Sequence, residues 1–120
     1  MFITGYFGIY RSQMDGSNFT QIVSGYGAVG IQLNSDSDQF YWADNGNDRI
    51  VSSQRYEIGV VENIAQLGTG ESPWGLTTFN GSIYWGNFGS GSLQRSSPTG
   101  KDLVTIYNGT SPIRHLTLVP

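Results

Sequence analysis

The sequence contains no cysteine, so disulfide bonds and thiolate metal sites are excluded. It has a single histidine, and a zinc site without further histidine or cysteine ligands would have to be unusually rich in carboxylates. Charged residues make up only 12% of the chain, and the formal net charge is −3. Nucleic acids and anionic membranes attract basic patches, so neither is an expected partner. Because no apolar run approaches the roughly 18 residues of a membrane-spanning helix, no membrane insertion is predicted.

Signals for helices are also scarce. Glycine accounts for 17 of the 120 residues, and no long stretch places apolar residues at the 3.6-residue period of a helix. Short runs of β-branched and aromatic residues alternate instead with turns rich in Gly, Asn, Ser and Asp. A chain of this length is ordinarily one domain. We therefore expect a single all-β domain.

A self-similar unit is the most informative feature that is present. Tyr41-Trp42-Ala43-Asp44 recurs as Tyr84-Trp85-Gly86-Asn87, 43 positions later, and Gly30-Ile31 has a counterpart in Gly75-Leu76. A repeat of roughly 40–45 residues is the period of a four-stranded propeller blade. Such units bury their faces only against neighbouring units, so the repeat determines the fold class, an all-β propeller.

Alignment of the chain with itself predicts where the strands and blades lie. The second, third and fourth strands of one blade fall at 1–29, complete blades at about 30–72 and 73–109, and a leftover first strand at 110–120. Met14-Asp15-Gly16-Ser17 and Pro98-Thr99-Gly100 separate third from fourth strands, because glycine readily supplies the positive φ of a tight turn.

These residues resemble the YWTD repeat of the low-density lipoprotein receptor family. The Tyr-Trp segments carry most of the resemblance, and it extends to Met14-Asp15-Gly16-Ser17 and to Pro73-Trp74-Gly75-Leu76. The Thr of the family motif is replaced by Ala43 and Gly86, and its Asp by Asn87 in the third unit. The resemblance covers essentially the whole chain. It implies a six-bladed propeller that recognises ligands, in a family that is not enzymatic.

The number of blades creates a problem of closure. The chain supplies three blades, whereas a propeller needs roughly four to eight to close. Three blades alone would leave apolar faces and strand edges exposed. Two copies would provide six blades as a two-fold homodimer, in which the leftover strand of each copy completes the first blade of its partner. The alternative is that the chain is a fragment of a longer six-bladed receptor propeller.

The conspicuous residues of the repeat are expected to be structural. Four aromatic residues alternate within their strands and should pack between blades, namely Tyr41, Trp42, Tyr84 and Trp85. Asp44 and Asn87 are expected to hydrogen-bond at strand edges. No Gly-x-Ser-x-Gly motif is present to supply a nucleophile, and the 34–38 segment lacks the glycine and distal glutamate of an EF-hand loop. No catalytic residue, metal or cofactor is predicted, and the protein is not expected to be an enzyme.

Loop residues on one face are the better candidates for function. In a propeller, the loops between second and third strands share a face with the links between blades, and loops commonly carry binding residues. The predicted ligand-binding residues combine aromatic, amide and charged groups on this face: Tyr26, Asn45, Asp48, Glu71, Trp74, Phe88, Arg114 and His115. Trp74 is expected at the mouth of the central channel, where it either binds ligand or only caps the channel.

The predicted function is non-catalytic recognition. A glycan ligand would suit the low charge, because sugars stack on aromatic faces and hydrogen-bond to amides. A dimeric ring would present each site at least twice, which favours a multivalent, lectin-like protein. The alternative is an extracellular receptor-type module that binds a protein, engaged through Asp48, Glu71 and Trp74 where that protein is basic. A purely structural assembly module is the third possibility.

Three glycosylation sequons favour an extracellular or secreted location. They begin at Asn18, Asn80 and Asn108. The N-terminal residues lack the basic start and apolar stretch of a signal peptide. The chain is therefore predicted to be a mature or excised secreted form, with a cytosolic protein as the alternative.

Overall fold

A computed structural model describes residues 2–5, 8–24, 28–34, 38–54, 61–113 and 116. Within these residues the chain forms eleven strands, one 3-10 turn at Asn45–Asn47 and no α-helix. In chain order the strands are β1 Phe2–Gly5, β2 Gly8–Arg11, β3 Thr20–Ser24, β4 Ala28–Asn34, β5 Gln39–Asp44, β6 Arg49–Gln54, β7 Val61–Gln66, β8 Pro73–Phe79, β9 Ser82–Asn87, β10 Ser92–Ser96 and β11 Val104–Asn108.

The strands form three sheets, and within each sheet the strands that are neighbours in the sequence pair antiparallel. The first sheet contains β1 to β3, the middle sheet β4 to β7 and the third sheet β8 to β11, each in sequence order. The strands lie close to where the internal alignment placed them; β4 begins two residues before the repeated Gly30-Ile31 pair, and β8 two residues before Gly75-Leu76. Most of the predicted leftover strand at 110–120 lies outside the described residues. The sheets are consistent with propeller blades, and the division into three blades stays a prediction.

β-Bulges recur at equivalent positions of the three sheets. The pairs β2–β3, β6–β7 and β10–β11 each shift register at one point. The shifts come immediately after Ile9, Ile50 and Leu93. A bulge leaves one residue unpaired and increases the local twist of its strand. The sequence repeat therefore corresponds to a repeat in backbone geometry, and not only to a repeat in side chains.

The middle sheet is covered on both faces. Side chains alternate along a strand, so Trp42 faces the first sheet and its neighbour Tyr41 faces the third. The first interface joins Ile9 and Ile22 to Phe40, Trp42 and Val51. The second joins Tyr41, Ala43, Ile50, Ala65 and Leu67 to Leu76, Ile83 and Trp85. Packing between sheets is thereby confirmed for Tyr41, Trp42 and Trp85, whereas Tyr84 is half-buried.

The turn between β2 and β3 forms at the predicted Met14-Asp15-Gly16-Ser17 segment. Asp15 Oδ1 accepts hydrogen bonds from Ser17 Oγ at 2.6 Å and from Ser17 N at 2.9 Å. These bonds stabilise the ionised carboxylate, so they lower the pKa of Asp15 below its ordinary value. The side chain of Asp15 thus adds to the backbone bonds that close the turn, from Gly16 N to Gln13 O and from Gln13 N to Ser17 O.

The two interfaces lead to a prediction about the tryptophans. Trp85 is 0% exposed in the second interface, and its Nε1 donates to Gln94 Oε1 at 3.2 Å. Trp85→Ala is expected to lower the free energy of unfolding by about 3–5 kcal/mol, because it leaves a cavity between two sheets. Trp74→Ala, at an exposed position, should lower it by about 1 kcal/mol or less. Urea unfolding followed by circular dichroism measures both, and equal losses would contradict the packing described.

Candidate functional site

Three loops meet at one end of the middle and third sheets. They are the 3-10 turn with Asp48, the 67–72 link between β7 and β8, and the 88–91 turn between β9 and β10. Backbone and side-chain hydrogen bonds join the link to both of the other loops. The surface formed by residues 45–48, 68–74 and 88–91 is called the loop surface below.

Asp48 fastens the link to the middle sheet. Its backbone is left-handed, with φ of 51°, which turns the carboxylate towards the link. Oδ1 accepts from Ser72 N at 2.7 Å, and Oδ2 accepts from Gly70 N at 3.0 Å. The carbonyl oxygen of Asp48 also accepts from Leu67 N at 2.8 Å and from Gln66 Nε2 at 3.1 Å. Asp48 therefore holds both ends of the link.

Glu71 connects the link to the third sheet. Its carboxylate accepts from Ser90 Oγ, and from Ser92 Oγ at 3.4 Å. Its carbonyl oxygen accepts from Gly89 N at 2.9 Å. A Cβ at Gly89 would overlap the carbonyl oxygen of Gly70, so this close approach requires glycine. The charge of Glu71 is thereby held in a fixed place on a half-buried side chain.

Trp74 and Phe88 form an aromatic pair beside these carboxylates. Their ring centroids are 5.5 Å apart and the rings are tilted by 43°. Phe88 N donates to Ser72 O at 2.8 Å, and Asn45 Nδ2 donates to Pro73 O at 3.2 Å, so the backbone immediately before Trp74 is anchored. Trp74 is 36% exposed. The pair therefore presents apolar area at the surface from a hydrogen-bonded backbone.

The loop surface is negatively charged. Residues 45–48, 68–74 and 88–91 include Asp48 and Glu71 but no Lys or Arg. The nearest guanidinium in sequence, that of Arg49, is paired with Asp44, with Nε 2.7 Å from Oδ2. Asn47 Nδ2 also donates to both oxygens of Asp44, at 3.2 and 3.0 Å. The charges of Asp48 and Glu71 consequently have no cation beside them within the loop surface.

Asn87 occupies the position in the third sheet that Asp44 occupies in the middle sheet. It is fully buried, and its Nδ2 donates to Ser92 Oγ and Gln94 Oε1, both at 2.8 Å. Both residues thus hydrogen-bond at the ends of their strands, as the sequence predicts. The ion pair of the middle sheet is replaced in the third sheet by neutral hydrogen bonds.

The structure brings together most of the predicted binding residues. Asn45, Asp48, Glu71, Trp74 and Phe88 all lie on the loop surface. Tyr26, Arg114 and His115 lie outside the described residues. Ligand binding by any of them stays a prediction. The sequence did not predict the roles of Ser90 and Ser92. Gly89-Ser90-Gly91 is recognisable in the sequence only as a turn, and Ser92 follows it.

The opposite end of the sheets carries an open cleft of about 390 Å³. It lies between the ends of β4 and β8, with half-exposed Leu33 and Phe79 at its sides and the hydroxyl of Tyr41 within it. Among the described residues its lining is Leu33, Asn34, Tyr41, Thr78, Phe79, Asn80, Gly81, Ser82, Ile83 and Pro98. These described residues contribute no carboxylate, imidazole or amine to the cleft.

In the part of the chain that the structure describes, no group of three or more His, Cys, Asp or Glu side chains is placed to hold a metal ion. No helix there is long and apolar enough to cross a membrane.

Comparison with known proteins identifies a related fold but no family. No family model matches the sequence. The structure is similar to a chain in the crystal structure of a nidogen/laminin complex, with a TM-score of 0.76 and 15% sequence identity. The match covers 89% of this chain and 43% of that chain, so this chain spans less than half the length of its structural relative. At this identity the similarity concerns the fold, three antiparallel sheets consistent with propeller blades.

The anchoring role of Asp48 can be tested by substitution. Asp48→Ala is expected to lower the free energy of unfolding by about 1–3 kcal/mol, because two backbone N–H groups lose their acceptor. Hydrogen exchange at Gly70 and Ser72 should accelerate. Asp48→Asn should have the smaller effect, because asparagine keeps an acceptor oxygen and tolerates left-handed backbone.

Asp15→Ala is the matched control, since Asp15 closes an exposed turn of the first sheet. It should leave exchange at Gly70 and Ser72 unchanged. Unaltered exchange at these two amides in Asp48→Ala would show that the carboxylate does not anchor the link.

Proposed function

We propose that this chain is a non-catalytic recognition module that binds a protein partner through the loop surface. The observation that carries the proposal is the pairing of exposed Trp74 with half-buried Phe88, beside two carboxylates that have no cation next to them within the loop surface. Tryptophan is enriched among the residues that dominate the energy of protein interfaces. The structural relative comes from a protein–protein complex, nidogen with laminin, which supports the same class of function for this fold.

The chemistry of the loop surface defines the partner. A Lys or Arg of the partner would lie near Glu71 and Asp48, and an adjacent apolar or aromatic side chain would pack on Trp74 and Phe88. Opposite charges steer association and fix the register of a complex. The loops are already cross-bonded, so binding would cost little further ordering of this protein. The partner segment is therefore basic with a large apolar residue.

Carbohydrate binding, the first choice from the sequence, has less support. A sugar needs several polar groups free to hydrogen-bond around an aromatic face. On the loop surface both carboxylate oxygens of Asp48 already accept from backbone N–H groups, and the amide of Asn45 donates to Pro73 O. The structural relative gives no support for a carbohydrate ligand, because it comes from a nidogen/laminin complex.

An extracellular setting is part of the proposal. The side chains of Asn18, Asn80 and Asn108 are all exposed, so each sequon is accessible as a glycosylation acceptor. A paired assembly, as the sequence predicts, would also present the loop surface twice and increase avidity for a repetitive partner.

Selection from a random-peptide phage library tests the partner chemistry. The immobilised protein is expected to enrich peptides that combine Lys or Arg with an aromatic or large aliphatic residue. Trp74→Ala should weaken the selected peptides about tenfold or more, as expected for a central interface tryptophan. Phe79→Ala is the matched control, because Phe79 is another exposed aromatic residue but lies at the opposite end of β8. Loss of binding in the control, or sugar-inhibitable binding on a glycan array that depends on Trp74, would reject the proposal.

The electrostatic part of the proposal has a separate test. Glu71→Gln keeps an oxygen that can accept from Ser90 but removes the charge. It is expected to slow association with the selected peptides and to reduce the dependence of their affinity on salt, because exposed charges are screened by ions. Binding kinetics at low and high ionic strength measure both effects. An unchanged salt dependence would show that Glu71 does not face the partner's charge.

A further inference from the structure

We propose that the outer face of the third sheet binds the outer face of the first sheet of a second copy of this chain. An outer face is the side of a terminal sheet that is turned away from the middle sheet. The outer face of the third sheet is equivalent to the surface with which the middle sheet contacts the third sheet. The outer face of the first sheet is equivalent to the surface with which the middle sheet contacts the first sheet.

The third sheet repeats the surface that the middle sheet buries against it. In the middle sheet this surface contains Tyr41, which is 1% exposed, and Ile50, which is 0% exposed. Their repeat equivalents Tyr84 and Leu93 lie on the outer face of the third sheet, and both are half-buried. Tyr107 pairs with Leu93 across the sheet and is 60% exposed. Among the described residues, no further sheet covers these side chains.

The absence of a side chain at Gly86 allows a close contact on the outer face of the third sheet. Gly86 is the repeat equivalent of Ala43, which is fully buried under the third sheet. A Cβ at Gly86 would overlap Cγ2 of Ile113, so the chain that follows β11 returns to lie on the outer face. Ile113 therefore adds an apolar side chain to the surface that Tyr84 and Leu93 begin.

The first sheet carries the complementary surface. Ile9 faces the middle sheet, so alternation along β2 places Tyr10 on the outer face, and pairing across β1 and β2 places Ile3 beside it. The ring of Tyr10 stacks on Phe19, with centroids 5.0 Å apart and planes 17° apart, and Phe19 is well exposed. The repeat equivalents of Ile3 and Tyr10 in the middle sheet are Trp42 and Val51, both buried against the first sheet.

A second copy is the occupant that continues the existing interfaces. Within the chain, each interface joins one kind of sheet face to the other kind on the next sheet. A contact between the third sheet of one copy and the first sheet of another would join the same two kinds of face. Each copy has one face of each kind, and two copies can therefore satisfy all four faces in a closed two-fold assembly. Exposed aromatic residues such as Tyr107 and Phe19 bury large apolar areas when such a face is covered.

Multi-angle light scattering on the purified chain tests the proposal. The expected mass is twice the 13.1 kDa of one chain. Tyr107→Glu and Phe19→Glu should each halve the mass with an unchanged circular dichroism spectrum, because each places a charge on one outer face. Thr105→Glu is the matched control: Thr105 is exposed, but its Oγ1 accepts from Gln94, whose Oε1 accepts from Trp85 Nε1 in the interface with the middle sheet. Thr105 therefore lies on the inner side, and the mass should stay double.

Mixing the two monomeric variants distinguishes this contact from other dimers. The third sheet of the Phe19→Glu copy and the first sheet of the Tyr107→Glu copy are both intact, so a mixture should recover the double mass. A folded wild-type monomer would overturn the proposal, and so would a Tyr107→Glu dimer. Loss of the dimer in Tyr107→Glu alone, with Phe19→Glu unaffected, would indicate a contact between two third sheets and would equally overturn it.

Discussion

Two adjacent aromatic rings on one strand hold the three sheets together. Alternation along β5 directs Trp42 to the first sheet and Tyr41 to the third, so the middle sheet is fastened on both sides by neighbouring residues. Burial of each ring removes about 150–250 Å² of surface from water, which stabilises by roughly 4–6 kcal/mol as an upper bound. The chain has no disulfide and few charges, so this packing is the main source of its stability.

The loop surface depends on the same stacking. It forms where the link between β7 and β8 passes from the middle to the third sheet, and the bonds of Asp48 and Glu71 follow that passage. Asp48 therefore has two roles, since its carboxylate anchors the link and also contributes to the negative field. Trp74 is placed by the backbone that these bonds fix. The geometry of the loop surface is consequently coupled to the relative position of two sheets.

The sequence predicted the strands and most of the site because both depend on local patterns. The spacing of Tyr41 and Tyr84 located equivalent strands, and propeller topology placed Trp74 and Phe88 on one face. It could not predict that Asp48 bonds to Gly70 and Ser72, because that contact requires a left-handed backbone at one residue and a defined path of the link. Nor could it predict that Tyr84 is less buried than Tyr41, since burial depends on which sheet is terminal.

Within each sheet, strands pair only with their neighbours in sequence, and this has a consequence for how such a chain folds and evolves. Every sheet can assemble from local hairpins, and distant segments need only dock as finished sheets. Duplication or loss of one repeat in the gene would add or remove a sheet while leaving the remaining interiors unchanged. Natural variants that differ in length by whole repeats should therefore be more readily tolerated than those with a deletion inside a sheet.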